Sequence, residues 1–440
     1  MIWSKYNYEY TSKKHGRLLF NYLSGVFLDI NDEEIFAQLE KIKEDPEKFD
    51  FSGDKELFSY LVDNGIICDR DETNEELLFY NNIRLRTQQS YKTLVIVPTL
   101  DCNLRCPYCY EGLNKPHTSM SREVIERVKH YIDTRIKKSE TGLLGLLWYG
   151  GEALMAFDTI CEITEYIKQK QIPFYGDLTT NGTLLTPDKL ERFEDLNIKQ
   201  VQITFDGPRE HHDKKRFFAN NKGTFDLLID RCKMLNQYVE KHKDFVVHLR
   251  INVDKSNKDG SVDLYKELKS SFPLLNVYVA PLKQYHGCSN QVDCFSGDEA
   301  VFDYLLSLYE DYGIDVVDYR SVLKGMRPCM AEMESSIIIG PSGEMYLCLN
   351  DVGDANEVVG NIMTEKLNMP LISKYRNARL TAYNEACNGC KIRWMCGGGC
   401  PESQYRNKYY GEHNEICTPL RKKRILNKYL DVRYDIQKGA

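Results

Sequence analysis

The chain has 440 residues, of which 42% are hydrophobic and 28% are charged, and its formal net charge is -7 at pH 7. This length favours two or three domains over one. The acidic balance offers no electrostatic footprint for nucleic acid. No apolar run reaches the length of a membrane-spanning helix, and no secretory signal is recognisable. We therefore expect a cytoplasmic protein whose partners include neither nucleic acid nor a membrane.

The chain contains 15 cysteines. The cytosol keeps thiols reduced, so this number predicts metal or redox chemistry and not a disulfide framework. Cys68, Cys161 and Cys232 lie in apolar or helix-like contexts, where a free thiol usually packs as a small hydrophobic residue. The remaining cysteines fall into two fields, one near residue 105 and one in the last third of the chain.

Residues 1–90 carry an aromatic, alternating strand pattern over 17–30, followed by helical patterns over 32–43 and 55–64. Short strands followed by helices predict a small α+β module. The order of these elements resembles the peptide-recognition element fused to many ribosomal-peptide maturases, and this resemblance implies a module that adds a leader peptide as a strand to a sheet edge. No motif marks the module, so a cap on the domain that follows is the alternative.

From residue 91 to 310, short apolar runs alternate with helix-like segments, which predicts an α/β fold with a parallel sheet curled into a partial (β/α)6 barrel. A capping Ser121 opens the helix over 121–138, and Thr186-Pro187 opens another. The predicted strands are 93–99, 143–149, 174–180, 199–205, 245–253 and 276–281.

Cys102, Cys106 and Cys109 follow the first predicted strand within eight residues. A cubane [4Fe-4S] cluster usually takes four cysteine ligands, so three leave one iron open. A zinc knuckle or three buried thiols are the alternatives.

Polar motifs follow the later strands of the predicted barrel. In β/α barrels the working residues gather at the carboxyl ends of the strands, so these motifs should meet the cysteine loop. An Arg inside an apolar strand also needs an anionic partner, either a ligand or a structural carboxylate. The motifs are Gly150-Gly151-Glu152, Thr179-Thr180-Asn181-Gly182, Asp206-Gly207-Pro208, and Arg250 with Asn252.

The Cys-x3-Cys-x2-Cys spacing resembles the motif of the radical S-adenosylmethionine (SAM) enzymes. This resemblance implies that the open iron binds the amine and carboxylate of SAM, whose cleavage yields a 5'-deoxyadenosyl radical. Gly150, Gly151 and Glu152 resemble the family's GGE motif beside the SAM amine, although Ala153 replaces the usual Pro. By the same resemblance, Thr179 or Thr180, Asn181, Arg250 and Asn252 are candidate contacts for SAM.

Residues 205–216 resemble the DGP, HD and R stretch of peptide-maturing radical SAM enzymes. His211, His212, Asp213 and Arg216 therefore either line the substrate entrance or stabilise a long loop, and isolated histidines are more often structural than catalytic.

The second cysteine field resembles the SPASM extension of radical SAM enzymes, which holds auxiliary [4Fe-4S] clusters. The resemblance implies that Cys387, Cys390, Cys396 and Cys417 hold one cluster, and that Cys329, Cys348 and Cys400 hold another. Either Cys288 or Cys294 completes the second cluster, or that site stays open to a substrate thiolate. A zinc ribbon is the alternative for residues 387–400.

We therefore predict a leader-peptide-binding module over 1–90, a radical SAM partial barrel over 91–310, a SPASM domain over 311–420 and a terminal helix over 421–440. The predicted function is a peptide maturase with SAM and three [4Fe-4S] clusters that installs a thioether C-S or C-C crosslink on a ribosomally synthesised precursor peptide. Its partners would be that peptide, with its leader sequence, and a reducing protein of the flavodoxin or ferredoxin type. The alternatives are an anaerobic sulfatase-maturating enzyme that forms formylglycine and a non-catalytic zinc-binding scaffold.

Overall fold

The computed structural model describes residues 1–109, 117–136, 142–283, 293–315, 328–380 and 385–439. These residues form two compact units. The first contains residues 1–86, 298–329 and 377–440, and the second contains residues 87–297 and 330–376. We call them the cap unit and the barrel unit.

The helices and strands follow in chain order. Before residue 90 they are β1 (Ile2–Trp3), β2 (Asn7–Ser12), β3 (Gly16–Asn21), β4 (Phe27–Asp29), α1 (Glu33–Glu44), α2 (Lys55–Asp63), β5 (Ile67–Cys68) and α3 (Asp71–Thr87). Next come β6 (Tyr91–Ile96), α4 (Arg122–Arg135), β7 (Leu143–Trp148), α5 (Phe157–Gln169), β8 (Phe174–Thr180), α6 (Pro187–Asp195), β9 (Ile198–Phe205), α7 (Arg209–Lys215), α8 (Phe225–Lys241), β10 (Val246–Val253), α9 (Lys258–Ser271) and β11 (Asn276–Pro281). The last are α10 (Asp298–Tyr312), β12 (Ser336–Ile339), β13 (Glu344–Tyr346), β14 (Gly360–Asn361), β15 (Lys366–Leu367), α11 (Met369–Asn377), α12 (Arg393–Cys396), α13 (Pro401–Tyr410) and α14 (Lys423–Lys438).

The barrel unit confirms the predicted six-stranded parallel sheet. Strands β6 to β11 pair in chain order, each parallel to the next. Helices connect them, and α4 begins after Ser121, whose hydroxyl accepts a hydrogen bond from the Val124 amide as predicted. Because successive strand residues point to opposite faces, one face of β10 buries Val247, Leu249 and Ile251, while the other carries the less buried His248 and Arg250.

The sheet does not end at β6. Strand β12 pairs parallel to β6, and β13, β14 and β15 follow it in antiparallel order, giving ten strands. Residues 336–367 fall within the predicted SPASM domain over 311–420, whereas backbone hydrogen bonds join their first strand, β12, to the first barrel strand, β6. Gly343, with φ +87°, lies at the β12–β13 turn, where a side chain would press on Ile362 and Met363.

The cap unit begins with the α+β arrangement that the sequence predicts. The expected strand over 17–30 is in fact two antiparallel strands, β3 and β4, because the Asn21 side chain accepts hydrogen bonds from the amides of Leu23 and Ser24 and turns the chain. The helix α3 was not predicted, since its apolar residues lack helical periodicity.

Two apolar clusters stabilise the cap unit. One lies within the first 70 residues and includes Leu39, Leu61 and Ile67. The other joins β2 and β3 to the end of the chain, packing Tyr6 and Phe20 with Trp394 and Tyr429. Residues 1–86 therefore share a core with the segment that carries the C-terminal cysteines.

Candidate functional site

A cavity of about 350 Å³ opens at the carboxyl ends of the barrel strands. This volume lies within the usual range for small-molecule sites. The cavity brings the cysteine loop together with the predicted motifs of the later strands. Its lining includes Cys102, Cys106, Cys109, Gly150, Gly151, Thr179, Thr180, Asn181, Arg250 and Asn252.

The two glycines allow the first two strand-following loops to touch. A Cβ on Gly151 would lie 2.3 Å from the Asp101 carbonyl oxygen, and one on Gly150 would lie 2.4 Å from that of Thr99. The Gly151 amide donates to the Thr99 carbonyl at 3.1 Å, and the Glu152 amide donates to that of Asp101 at 2.8 Å. Because glycine lacks Cβ, only this residue type permits so close an approach between the loops.

Glu152 does not line the cavity, although it was predicted as a SAM contact. Its carboxylate is 1% exposed and accepts hydrogen bonds from the Thr180 hydroxyl at 2.6 Å, the Asn181 amide at 2.7 Å and the Leu154 amide at 3.0 Å. Burial raises the pKa of Glu152, and these hydrogen bonds oppose that rise. The structure therefore places Glu152 behind the cavity, where it fixes Thr180 and Asn181.

Asn181 ties the third strand to the cysteine loop. Its side-chain amide donates to the Asn103 side chain at 2.8 Å, and Asn103 in turn donates to the Thr183 hydroxyl at 2.8 Å. Asn103 was missed because it lies between two cysteines and belongs to no motif.

A buried carboxylate connects the cysteine loop to the fourth and fifth strands. Asp206, 1% exposed, accepts hydrogen bonds from the Tyr108 hydroxyl, from Arg216 Nε at 3.0 Å and from the Asn252 amide at 2.8 Å. Arg250 Nε donates to the Asn252 side chain at 2.8 Å. Burial alone would raise the pKa of Asp206, but the Arg216 charge and the hydrogen bonds hold it below its usual value.

His212 contacts the backbone of Asp206 and does not line the cavity. Its Nδ1 accepts from the Asp206 amide at 3.2 Å, and its Nε2 lies 2.9 Å from the Thr224 hydroxyl. Burial lowers the pKa of His212 to about 4, so the ring is neutral at pH 7. Of the two interpretations of this histidine, the structure supports loop stabilisation.

The cavity lining fits an iron-sulfur cluster and an anionic group beside it. Three thiols share one wall, and burial raises the pKa of Cys102 to about 11 and that of Cys106 to about 12, so cluster binding must release protons. Arg216, Arg250 and Lys283 supply positive charge, and no Asp or Glu of the described residues lines the cavity. The alternating polar residues of β9, Gln202 and Thr204, also line it and could have been found from their spacing.

Four of the C-terminal cysteines meet in the cap unit. Cys387, Cys390, Cys396 and Cys417 line one cavity, and burial together with the neighbouring cysteine thiols raises the pKa of Cys387. Within the described ranges no three His, Cys, Asp or Glu side chains are grouped to hold one metal ion.

The second predicted cysteine set stays a prediction. Cys348 belongs to the barrel unit, whereas Cys329 and Cys400 belong to the cap unit. Cys288 lies outside the described residues, and Cys294 is partly buried.

Three cysteines on a strand-following loop of a partial α/β barrel, with a cavity beside them, form the arrangement expected of a radical SAM domain. Residues 96–258 match the sequence model of the radical SAM superfamily. The chain therefore contains a radical SAM domain, and the enzymes built on this domain use SAM and a [4Fe-4S] cluster.

Curated relatives are maturases and synthases. A cysteine-type anaerobic sulfatase-maturating enzyme of Clostridium novyi is 23% identical over 352 residues, covering 74% of this chain and 92% of that protein. The radical SAM cyclopropyl synthase TigE of Paramaledivibacter caminithermalis is 22% identical over 494 residues, covering 100% of this chain and 98% of that protein.

Solved structures share the fold. Native anSMEcpe with bound AdoMet has a TM-score of 0.57 at 20% identity, covering 79% of this chain and 98% of that chain. Streptococcus suis SuiB bound to precursor peptide SuiA has a TM-score of 0.52 at 14% identity, covering 95% and 98%. Among the helices that the structure describes, none is both long and apolar enough to cross a bilayer.

Proposed function

We propose that this enzyme cleaves SAM reductively and installs a C-C or thioether C-S crosslink on a ribosomally synthesised precursor peptide. The observation that carries the proposal is the cavity in which three thiols meet the backbone of two glycines and the guanidinium groups of two arginines. The thiols of this lining can serve as three ligands of a cluster. Its glycine backbone allows close contact with SAM, and its guanidinium groups can pair with the SAM carboxylate.

In this proposal Cys102, Cys106 and Cys109 hold the cluster. Gly150, Gly151, Thr180, Asn181, Arg250 and Asn252 contact SAM, and Glu152 positions Thr180 and Asn181 from behind. When bound, the cluster and SAM supply a 5'-deoxyadenosyl radical that removes hydrogen from the substrate. Arg216 stands at the same cavity with its charge balanced by Asp206 at 3.0 Å, so the guanidinium is held in one position.

Two findings support a peptide as substrate. The cyclopropyl synthase matches the whole chain, whereas the sulfatase maturase matches 74% of it. SuiB, which shares the fold over 95% of this chain, is described as bound to a precursor peptide. The α+β arrangement of residues 1–86 would suit a leader peptide added as an extra strand. A cyclopropyl synthase as relative favours C-C bond formation here.

The C-terminal cysteines would hold two auxiliary [4Fe-4S] clusters. Cys387, Cys390, Cys396 and Cys417 are the proposed ligands of one, because they line one cavity. Cys329, Cys348 and Cys400 are proposed for the other. These clusters would accept an electron from the product radical or bind the substrate, and a flavodoxin or ferredoxin would exchange electrons with the enzyme.

Anaerobic protein incubated with reductant and SAM should release 5'-deoxyadenosine. A variant with Cys102, Cys106 and Cys109 all changed to Ala should lose this activity while keeping its auxiliary iron. Cys161→Ala is the matched control, because this partly buried thiol on α5 is free, and its product yield should equal that of the wild type. SAM cleavage by the triple variant would contradict the assignment.

A second candidate function is sulfatase maturation, favoured by two relatives named as cysteine-type and serine-type anaerobic sulfatase-maturating enzymes. Coexpression separates the two functions. The enzyme is expressed either with a sulfatase fragment or with a short peptide encoded beside its gene, and each product is measured by mass spectrometry. Formylglycine in the sulfatase fragment, with an unmodified short peptide, would overturn the crosslinking proposal.

A further inference from the structure

A groove of about 290 Å³ on the cap unit opens beside the four-cysteine cavity. Its walls combine apolar and aromatic side chains with three cations, and all of them belong to the cap unit. The lining is Tyr8, Tyr22, Cys390, Lys391, Ile392, Leu420, Arg421, Lys423 and Leu426. We call it the basic groove.

Two cations of the basic groove, Lys391 and Lys423, form no ion pair with any residue in the described ranges. Neighbouring Lys422 and Arg424 pair with Glu299, and Arg424 also pairs with Asp303. Among the residues that the structure describes, no carboxylate pairs with Lys391 or Lys423. Both lysines are exposed, so they present a positive surface on a chain whose net charge is -7.

The basic groove is continuous with the cysteine site. Cys390 and Arg421 line both the groove and the four-cysteine cavity. Arg421 also donates a hydrogen bond to the Cys417 sulfur at 3.2 Å, and Cys417 is exposed. A protein seated in the groove would therefore contact one proposed ligand, Cys390, and the Arg421 side chain that is hydrogen-bonded to a second, Cys417.

We propose that the basic groove docks an acidic one-electron carrier of the flavodoxin type, which exchanges electrons with the cluster held by Cys387, Cys390, Cys396 and Cys417. The inference rests on the proposed function, because it needs that auxiliary cluster. Complementary charge steers such encounters and orients the partner. In the exchange the reduced cluster loses one electron, and the flavodoxin quinone takes up that electron and one proton from water to form its semiquinone.

The test compares a double variant, Lys391→Glu with Lys423→Glu, against a control, Lys241→Glu with Lys269→Glu. Both pairs are exposed and change the net charge equally. Binding of oxidised flavodoxin to each holoenzyme is measured by calorimetry at low and high salt. Electron transfer is followed by stopped-flow absorbance in the background without Cys102, Cys106 and Cys109, so that only auxiliary clusters react. Methyl viologen serves as a small reagent that needs no docking surface.

At low salt, the groove variant should bind flavodoxin at least about tenfold more weakly than the wild type and transfer electrons to it at least about tenfold more slowly. Its binding should also depend less on salt concentration. Its reaction with methyl viologen should be unchanged, and the control should match the wild type. Equal flavodoxin binding by both double variants would overturn the docking inference alone. A background variant that contains no iron would instead overturn the auxiliary cluster, and the inference with it.

Discussion

Asp206 shows how one buried side chain fixes several parts of the site. It balances the charge of Arg216 and holds Tyr108 of the cysteine loop and Asn252 of the fifth barrel strand. Breaking a buried ion pair costs about 3–5 kcal/mol, because the remaining charge keeps its desolvation penalty. Asp206 is therefore a positioning residue, which agrees with loop stabilisation, one of the two interpretations of residues 205–216.

Asp206→Asn should lower the free energy of unfolding by several kcal/mol and raise the KM for SAM, because Arg216 and Tyr108 lose their anchor. Urea denaturation and 5'-deoxyadenosine release measure the two effects. Asp254→Asn is the matched control, since Asp254 is also 0% exposed and pairs with Lys215 at 2.5 Å, outside the cavity lining. That variant should lose stability with an unchanged KM, and an equal rise in KM would contradict the positioning role.

His212 should make stability depend on pH. Burial, which outweighs the attraction of Asp206 and Asp213, lowers its pKa from 6.5 to about 4, and the Arg216 charge lowers it as well. As pH falls through 6.5, His212 therefore becomes protonated in the unfolded chain while it stays neutral in the folded chain. The contribution of the neutral His212 ring to the free energy of unfolding is fully present above pH 6.5 and is lost as pH falls toward 4. Each pKa unit corresponds to about 1.36 kcal/mol, so this contribution is on the order of 3 kcal/mol.

The measurement for His212 is the free energy of unfolding in urea at pH values from 4 to 8. His212→Gln lacks the titrating ring, so the difference between wild type and variant isolates this residue from other acids and bases. That difference should be constant above pH 6.5 and should change below it in favour of the variant. A difference that does not vary with pH would show that folding leaves the pKa of His212 unchanged.

At the scale of elements, the cavity depends on contact between loops that follow neighbouring strands. The loop after β6 carries the cysteines, and the loop after β7 carries the glycines. Their backbones meet through the hydrogen bonds of Gly151 and Glu152. Sequence reasoning placed both motifs at the same end of the sheet, but it assigned the glycines to a ligand, whereas the nearest atoms to an added Cβ are backbone oxygens of the cysteine loop.

Gly151→Ala should displace the cysteine loop, because its methyl group would lie 2.3 Å from the Asp101 carbonyl oxygen and 2.4 Å from that of Leu100. Such overpacking typically costs 1–3 kcal/mol. We expect lower stability and at least about a tenfold loss of 5'-deoxyadenosine formation, because a shift of about 1 Å in the groups that position the reactants can cost about a hundredfold in rate. Gly53→Ala, which meets nothing within 4 Å, should change neither quantity. Wild-type stability and SAM cleavage in Gly151→Ala would show that the loops need no glycine contact.

At the scale of the molecule, the sequence predicts those strands and helices that are marked by a local pattern of apolar residues. The six barrel strands were predictable because each is a short apolar run, and β8 and β11 have the predicted bounds, 174–180 and 276–281. The strands β14 and β15 have two residues each, too few to form a pattern, so their addition to the barrel sheet was not predictable. Contacts between distant residues, such as Tyr108 with Asp206, also leave no mark in a single sequence.

The shared core of the cap unit was the largest feature that the sequence did not predict. The Trp394 indole donates to the Tyr6 hydroxyl at 2.9 Å, and Tyr6 in turn donates to Glu75 at 2.5 Å. Glu75 also pairs with Arg393. Arg393 and Trp394 lie in α12, so the first 86 residues hold the helix that carries one proposed ligand, Cys396, and begins three residues after another, Cys390.

Deleting residues 1–86 should therefore remove more than a peptide-binding module. The deletion exposes Trp394, Tyr429 and the rest of their apolar cluster, and it leaves α12 without its Glu75 and Tyr6 partners. We expect the shortened chain to aggregate more readily and to bind about four fewer irons per chain after anaerobic reconstitution, the content of one cubane. Iron and sulfide analysis with size-exclusion chromatography measures both effects.

Leu77→Ser is the control for this deletion, because Leu77 is 58% exposed on α3 and lies outside the shared core. It should keep the full iron content and remain monodisperse. If the shortened chain also stayed monodisperse with full iron, residues 1–86 would be a separable module, and the shared core would not be what holds the C-terminal cysteines in place. Because the deletion removes structural support as well as any peptide-binding surface, its loss of peptide modification alone could not identify a leader-binding role.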